Sequence, residues 1–247
     1  MHVEISPLIP TITYDSSSNA IVEINEQATL NILITDQYGI PVKNTLVAFS
    51  IDTLGILLPE TGTTDSNGYL TINAISENSG VYLISASLYG VTEQWTLVIY
   101  DPEGSYVTGG GWFNSPQGAY APDSTLTGKA TFGFVSKYKK GANIPTGETQ
   151  FQFKYANLNF HSTSYDWMVV AGSKAQYKGT GTINGEGEYG FMLTATDGDL
   201  KDDKIDTFRL KIWDKTTDTL VYDNMLGSLD GADPTTAIGG GSIIIHK

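Results

Sequence analysis

The sequence predicts an all-β protein built from two domains. Short alternating runs of apolar and polar residues close on turn residues at intervals of roughly 8–12 positions, the signature of stacked antiparallel strands. The chain holds 27 glycines and 14 tyrosines among many serines and threonines, with little of the Ala, Leu and Glu periodicity that marks helices. At 247 residues it gives each of two domains enough length for a core of its own. The expected boundaries are 1–101 for a first domain with an extended N-terminal arm, 102–105 for a linker and 106–247 for a second domain.

Residues 3–14 are extended and broken by Pro7 and Pro10, which cannot donate to a ladder, so they read as an edge strand or arm. Leu30, Ile32 and Ile34 alternate with polar neighbours, and the stretch Asp36 to Val42 turns the chain. Val47, Phe49 and Ile51 share one face of the next strand. Asp65-Ser66-Asn67-Gly68 turns into a strand with Leu70, Ile72 and Ala74 inward, and residues 81–87 and 95–100 complete the domain. The linker Asp101-Pro102-Glu103-Gly104-Ser105 is short enough to impose a preferred angle between domains. In the second domain, glycine triplets at 109–111 and 239–241 flank the first and last strands and place the two ends together, where backbones approach closely. Strands are expected near 126–135, 149–155, 165–171, 175–183, 189–195 and 208–213, forming one antiparallel sandwich or jelly-roll-like domain.

Charge and composition narrow the function. Residues 1–101 carry eleven acids against Lys43 alone, and residues 102–247 carry sixteen against thirteen bases, for a net charge of −13. A chain this acidic repels polyphosphate, which argues against nucleic acid, and it gathers cations. There is no cysteine, so stapling has to come from packing, metal ions or neighbouring subunits. No window approaches the eighteen apolar residues of a spanning helix. The start, Met1-His2-Val3-Glu4, lacks the layout of a secretory signal and reads as a mature fragment of a longer or secreted precursor.

Residues 20–100 carry a resemblance. Thr35-Asp36-Gln37-Tyr38-Gly39-Ile40-Pro41-Val42, Val47-Ala48-Phe49, Thr64-Asp65-Ser66-Asn67-Gly68-Tyr69-Leu70 and Ser79-Gly80-Val81-Tyr82-Leu83-Ile84-Ser85-Ala86 look like a bacterial immunoglobulin-like domain of the invasin and intimin type. That resemblance implies an immunoglobulin-like sandwich serving as a stalk, with no catalytic residues. Gly109-Gly110-Gly111-Trp112, the stretch Gly133 to Gly141, the stretch Leu158 to Trp167 and Tyr177-Lys178-Gly179-Thr180-Gly181 resemble a C-terminal β-domain that closes multidomain bacterial and archaeal surface proteins, which implies an extracellular place.

The densest chemistry is Asp197-Gly198-Asp199-Leu200-Lys201-Asp202-Asp203-Lys204-Ile205-Asp206, five carboxylates in ten residues. Their mutual repulsion calls for a positive partner, and hard oxygen ligands suit calcium, with Asp197, Asp199, Asp202, Asp203 and Asp206 as the expected ligands. It is no EF-hand, since Asp202 and Phe208 stand where glycine and glutamate would be needed. The competing account is a solvated hairpin balanced by Lys201, Lys204 and Arg209. Trp112, Phe113 and Tyr138 are the candidate glycan contacts, against the commoner fate of core packing. His161-Ser162-Thr163-Ser164-Tyr165-Asp166 reads as a polar turn rather than a nucleophile site, and Glu186 and Glu188 sit in a hairpin turn rather than a glycosidase pair. Lys129 and Lys154 are weighed as internal isopeptide lysines, but alternation puts Lys154 on the polar face. The expectation is a non-enzymatic, calcium-stabilised surface protein that adheres to a host or cell-wall glycan or to like subunits. Strand addition by the N-terminal arm or by Ile243 to Ile245 would make it a homopolymer.

Overall fold

Alternation decides the architecture. In a strand every second side chain points to the same face, so Leu30, Ile32 and Ile34 are fully buried while their neighbours are not. The computed structural model describes residues 8–15, 18, 20–51, 56, 58–103 and 106–246, and these fall into two units, Met1–Ile99 and Tyr100–Lys247. The first seven residues of the proline-broken arm lie outside the described residues, as do Gly104 and Ser105 of the linker.

The first unit contains β1 (Thr11–Tyr14), β2 (Ile21–Glu23), β3 (Ala28–Thr35), β4 (Leu46–Ile51), β5 (Thr61–Thr63), β6 (Tyr69–Ala74), β7 (Gly80–Leu88) and β8 (Val91–Tyr100). They make two sheets, β1-β3-β6 and β2-β8-β7-β4-β5, whose inner faces share one core that includes Ile32, Val47, Ile72, Ile84 and Leu97. This is the expected sandwich, and β1 is an edge strand. The turns use one device twice. Asp36 Oδ1 accepts from Tyr38 N and Ile40 N, and Asp65 Oδ1 accepts from Asn67 N and Tyr69 N, so each aspartate holds its own turn shut.

The second unit contains β9 (Tyr106–Ser115), β10 (Gly128–Lys137), β11 (Thr146–Phe153), β12 (Leu158–Ala171), β13 (Lys174–Ile183), β14 (Glu186–Thr196), β15 (Thr207–Asp214), β16 (Leu220–Asp223), β17 (Thr236–Ala237) and β18 (Gly240–His246). All ten belong to one antiparallel sheet, ordered β16-β15-β14-β13-β12-β11-β10-β9-β18 with β17 beside β15. The packed layers are therefore two parts of one continuous meander. Phe132 of β10 stacks on Phe208 of β15 at 4.1 Å, and Phe113 of β9 lies 5.4 Å from the same ring. A sheet of this many strands twists and curls on itself, and hydrogen bonds stitch it where it rolls. Asp223 N donates to Ala119 O and Ala121 N to Val221 O, which ties β16 to the segment after β9.

The glycine triplets meet as expected. Gly110 stands opposite Ser242, Gly111 opposite Gly241 and Trp112 opposite Gly240. A Cβ on Gly111 would lie 2.2 Å from Gly240 O, and one on Gly241, whose φ is +111°, would lie 2.0 Å from Gly110 O, so no side chain fits at either position.

The stretch His161 to Asp166 departs from the expected turn. It lies inside β12, whose pairing with β13 shifts register at Ser162/Ser164 and again at Tyr165/Trp167. The bulges consume the polar side chains: Ser162 Oγ accepts from Thr149 N and contacts Tyr165 Oη at 3.1 Å, while Thr149 Oγ1 contacts Tyr165 Oη at 3.0 Å and Tyr177 Oη at 2.9 Å. Burial raises the Tyr177 phenol well above its ordinary value of 10.0, and burial raises Tyr165 and Tyr222 as well. A phenol kept neutral in the fold but free to ionise when unfolded makes the unfolded chain bind fewer protons above pH ~10, so stability is whole below that pH and falls as pH rises through it. Absorbance of tyrosinate at rising pH is expected to show these three phenols ionising together with the loss of near-ultraviolet circular dichroism; early titration in an intact fold would contradict it.

Candidate functional site

Two places concentrate chemistry, and both belong to the second unit. The first is the acidic loop joining β14 to β15. Asp197 is buried at 4% exposure; its Oδ1 accepts from Asp199 N and its Oδ2 from Ile245 N. Asp206 Oδ1 accepts from Gly198 N and its Oδ2 from Ile243 N. One carboxylate at each end of the loop thus closes the neck and reaches an outward N–H of β18. The other side of β18 is paired with β9. The carboxylates take the place of a missing neighbouring strand, and this is how the sheet edge is covered.

The remaining three point elsewhere. Asp199 is exposed, and its backbone carbonyl accepts from Lys204 Nζ. Asp202 is exposed. Asp203 accepts from Ile205 N and pairs with Lys201 at 3.1 Å, and these contacts hold its carboxyl below the usual carboxylate range. Among the described residues no three acidic or histidine side chains converge as a metal cage would require. Backbone N–H groups meet much of the expected repulsion at Asp197, Asp203 and Asp206, and Lys201 meets part of it at Asp203. Four further acids of the second unit are engaged: Asp214 caps the turn at Thr216 and Thr217, Asp223 pairs with Arg209, Asp230 with Lys211 and Asp233 with Lys174.

The second place is the outer face of β9, β10 and β11. Trp112, Thr131 and Gln152 form a cross-strand row. Beside it lies a concavity of about 550 Å³ lined by Lys129, Thr131, Gln152, Lys154 and Tyr155. Lys129 Nζ stands 4.6 Å above the Trp112 ring, a cation–π contact that holds the ammonium over the sheet. The same ring packs on the backbone of Gly239 and Gly240, where a Cβ would lie 2.4 Å and 2.8 Å from its atoms. Tyr155 is 65% exposed.

The three aromatic candidates fare differently. Phe113 is fully buried against Phe132, Phe151 and Phe208 and meets no ligand; its position on β9 faces inward, one residue out of phase with Trp112. Tyr138 is half-buried and its hydroxyl donates to Met168 O while accepting from Met168 N. Trp112 is half-buried and stays outside the lining of the concavity; with Lys129 over its ring it serves to position that lysine. Tyr155, the open ring, was not singled out; its place after the alternating Gln152 and Lys154 was the available signal. Lys129 and Lys154 are exposed, which removes the buried setting an internal cross-link needs.

Residues 13–99 match the bacterial Ig-like domain (group 1) family. The first unit is a bacterial Ig-like domain. Among solved structures, the chain is similar to the D0-D1 domain of intimin, at 15% identity and TM-score 0.40, covering 86% of this chain and 95% of that one. It is also similar to domains 5-6 of the S-layer protein SbsC, at 13% identity and TM-score 0.33, covering 88% and 96%. A third likeness is to Salmonella alpha-2-macroglobulin, at 11% identity and TM-score 0.30, covering 86% of this chain and 23% of that one. No curated protein sequence matches the chain.

Proposed function

We propose that this chain is a non-catalytic extracellular module, an immunoglobulin-like stalk unit followed by a β unit that meets a glycan or like subunits at a prokaryotic cell surface. The observation that carries the reading is the bacterial Ig-like match over residues 13–99, a domain type that serves as a spacer and brings no reaction centre. The absence of cysteine and the net charge of −13 are compatible with a protein stabilised by packing and kept soluble by its charge. Antibody raised against the purified chain is expected to label intact cells of the source, and external protease to abolish the label; antigen detectable only after lysis would sink the reading.

Strand addition, within this reading, belongs to the first unit. Among the described residues β1 pairs with β3 alone, whereas β18 is paired on one side and capped by carboxylates on the other. Calcium enters as a loosely held counterion of an acidic surface. Exchanging millimolar calcium for a chelator is therefore expected to move Tm by less than about 2 °C, a fraction of a kcal/mol for a unit of this size. A shift of ten degrees would reinstate a structural ion. The carbohydrate-binding accessory module of a secreted enzyme is the second reading, favoured by the exposed Tyr155 beside two lysines.

A further inference from the structure

The lysines beside Tyr155 differ from the five bases of the second unit that pair with carboxylates. Lys174, Lys201, Arg209, Lys211 and Lys215 each pair with a carboxylate. Lys129 of β10 and Lys154, in the turn just after β11, border one concavity, and neither is among the ion pairs of the described residues. In a chain with 27 acids, two lysines lining one concavity create a local positive site in a negative surround.

The concavity also offers what a sugar ring needs. Tyr155 presents an open ring whose other side packs over Gly128, where a Cβ would lie 2.5 Å from the ring. A residue with a side chain at position 128, whose φ is +132°, would push the ring off the sheet. Thr131 and Gln152 add a hydroxyl and an amide to the floor of the concavity. The Trp112 ring beneath Lys129 holds the ammonium in place before any ligand arrives.

We infer that this concavity binds an acidic sugar, its carboxylate between Lys129 and Lys154 and its ring stacked on Tyr155. The volume of about 550 Å³ accommodates one or two sugar units. The net charge of −13 disfavours a long polyanion and favours a single charged residue within a glycan. The inference rests on the surface-module reading only for where such a glycan would be met.

The test uses the full chain and three probes: a disaccharide of a uronic acid and a neutral hexose, its fully neutral counterpart, and inorganic phosphate. Titration followed by nuclear magnetic resonance is expected to give the uronate a Kd of about 1 mM or tighter, with shifts confined to β10, β11 and Tyr155. The neutral disaccharide and the Lys129→Ala/Lys154→Ala variant are each expected to bind about tenfold more weakly. Tyr155→Ala weakens the uronate severalfold and leaves phosphate unchanged, which separates ring stacking from simple anion capture. All these positions are exposed, so each variant keeps its melting temperature. Equal binding of the neutral sugar, phosphate affinity matching that of the uronate, or no saccharide binding by the folded chain would each overturn the inference. Uronate binding by a chain absent from the cell surface would keep it and sink the surface reading.

Discussion

Asp223→Ala is expected to lower the stability of the second unit by about 3–5 kcal/mol, which for a unit of this size lowers Tm by about 6–20 °C. Asp223 and Arg209 are 3% and 1% exposed, and the guanidinium meets the carboxylate with both Nε and Nη2 at 3.1 Å and 2.9 Å. Arg209 also donates to Leu229 O and Ser228 O, and Asp223 Oδ1 accepts from Met225 N. The pair therefore pins the segment after β16 across β15. Gln176 Nε2 donates to Asp230 O, and Asn224 accepts from Leu210 N while donating to Phe208 O, so that segment covers the outer face of β13 to β15. Removing one partner leaves the other charge buried and uncompensated, which costs far more than the pair contributes. The companion Arg209→Met/Asp223→Leu removes both charges and is expected to recover at least half of the lost Tm in a calorimetric melt. A single variant that melts with the parent protein would show that water reaches the pair.

Alternation and turn chemistry were plainly legible in the sequence. The inward faces of β3, β4 and β6 and the aspartate-held turns follow from period two and from short polar side chains that bond their own backbone. The glycine triplets predicted the pairing of β9 with β18 because only glycine permits backbones so close. What stayed hidden depends on register. Whether His161 to Asp166 turns or continues as a bulged strand is decided by Thr149 of β11 and Tyr177 of β13, partners on other strands that meet Ser162 and Tyr165. Trp112 and Phe113 are neighbours with opposite fates for the same reason: one shift of phase sends a ring to the core or to the surface. The five carboxylates were visible as charge, but the N–H groups of Ile243 and Ile245 that face two of them are contributed by a strand some forty residues away.

That last arrangement gives the second large effect. Asp206→Ala orphans the N–H groups of Gly198 and Ile243, and Asp197→Ala those of Asp199 and Ile245; each substitution is expected to cost about 2–4 kcal/mol. Asn at either position keeps a carbonyl oxygen and is expected to lose about half as much. Within the same loop, Asp199→Asn and Asp202→Asn alter only exposed side chains and are expected to change stability by less than about 0.5 kcal/mol. A calcium cage would spread the loss over all its ligands and make it vanish in chelator, whereas carboxylate caps concentrate it on Asp197 and Asp206 with or without the ion. Denaturant midpoints for the four positions, each measured in calcium and in chelator, separate the two. The double Ala variant has a further consequence. It leaves the outer N–H row of β18 open beside Ile244, which is 46% exposed, and an open apolar edge recruits another strand. Sedimentation velocity is expected to show the parent chain's second unit as no source of self-association and the double variant forming dimers; a monomeric double variant with an intact fold would mean that the caps stabilise the strand without guarding its edge.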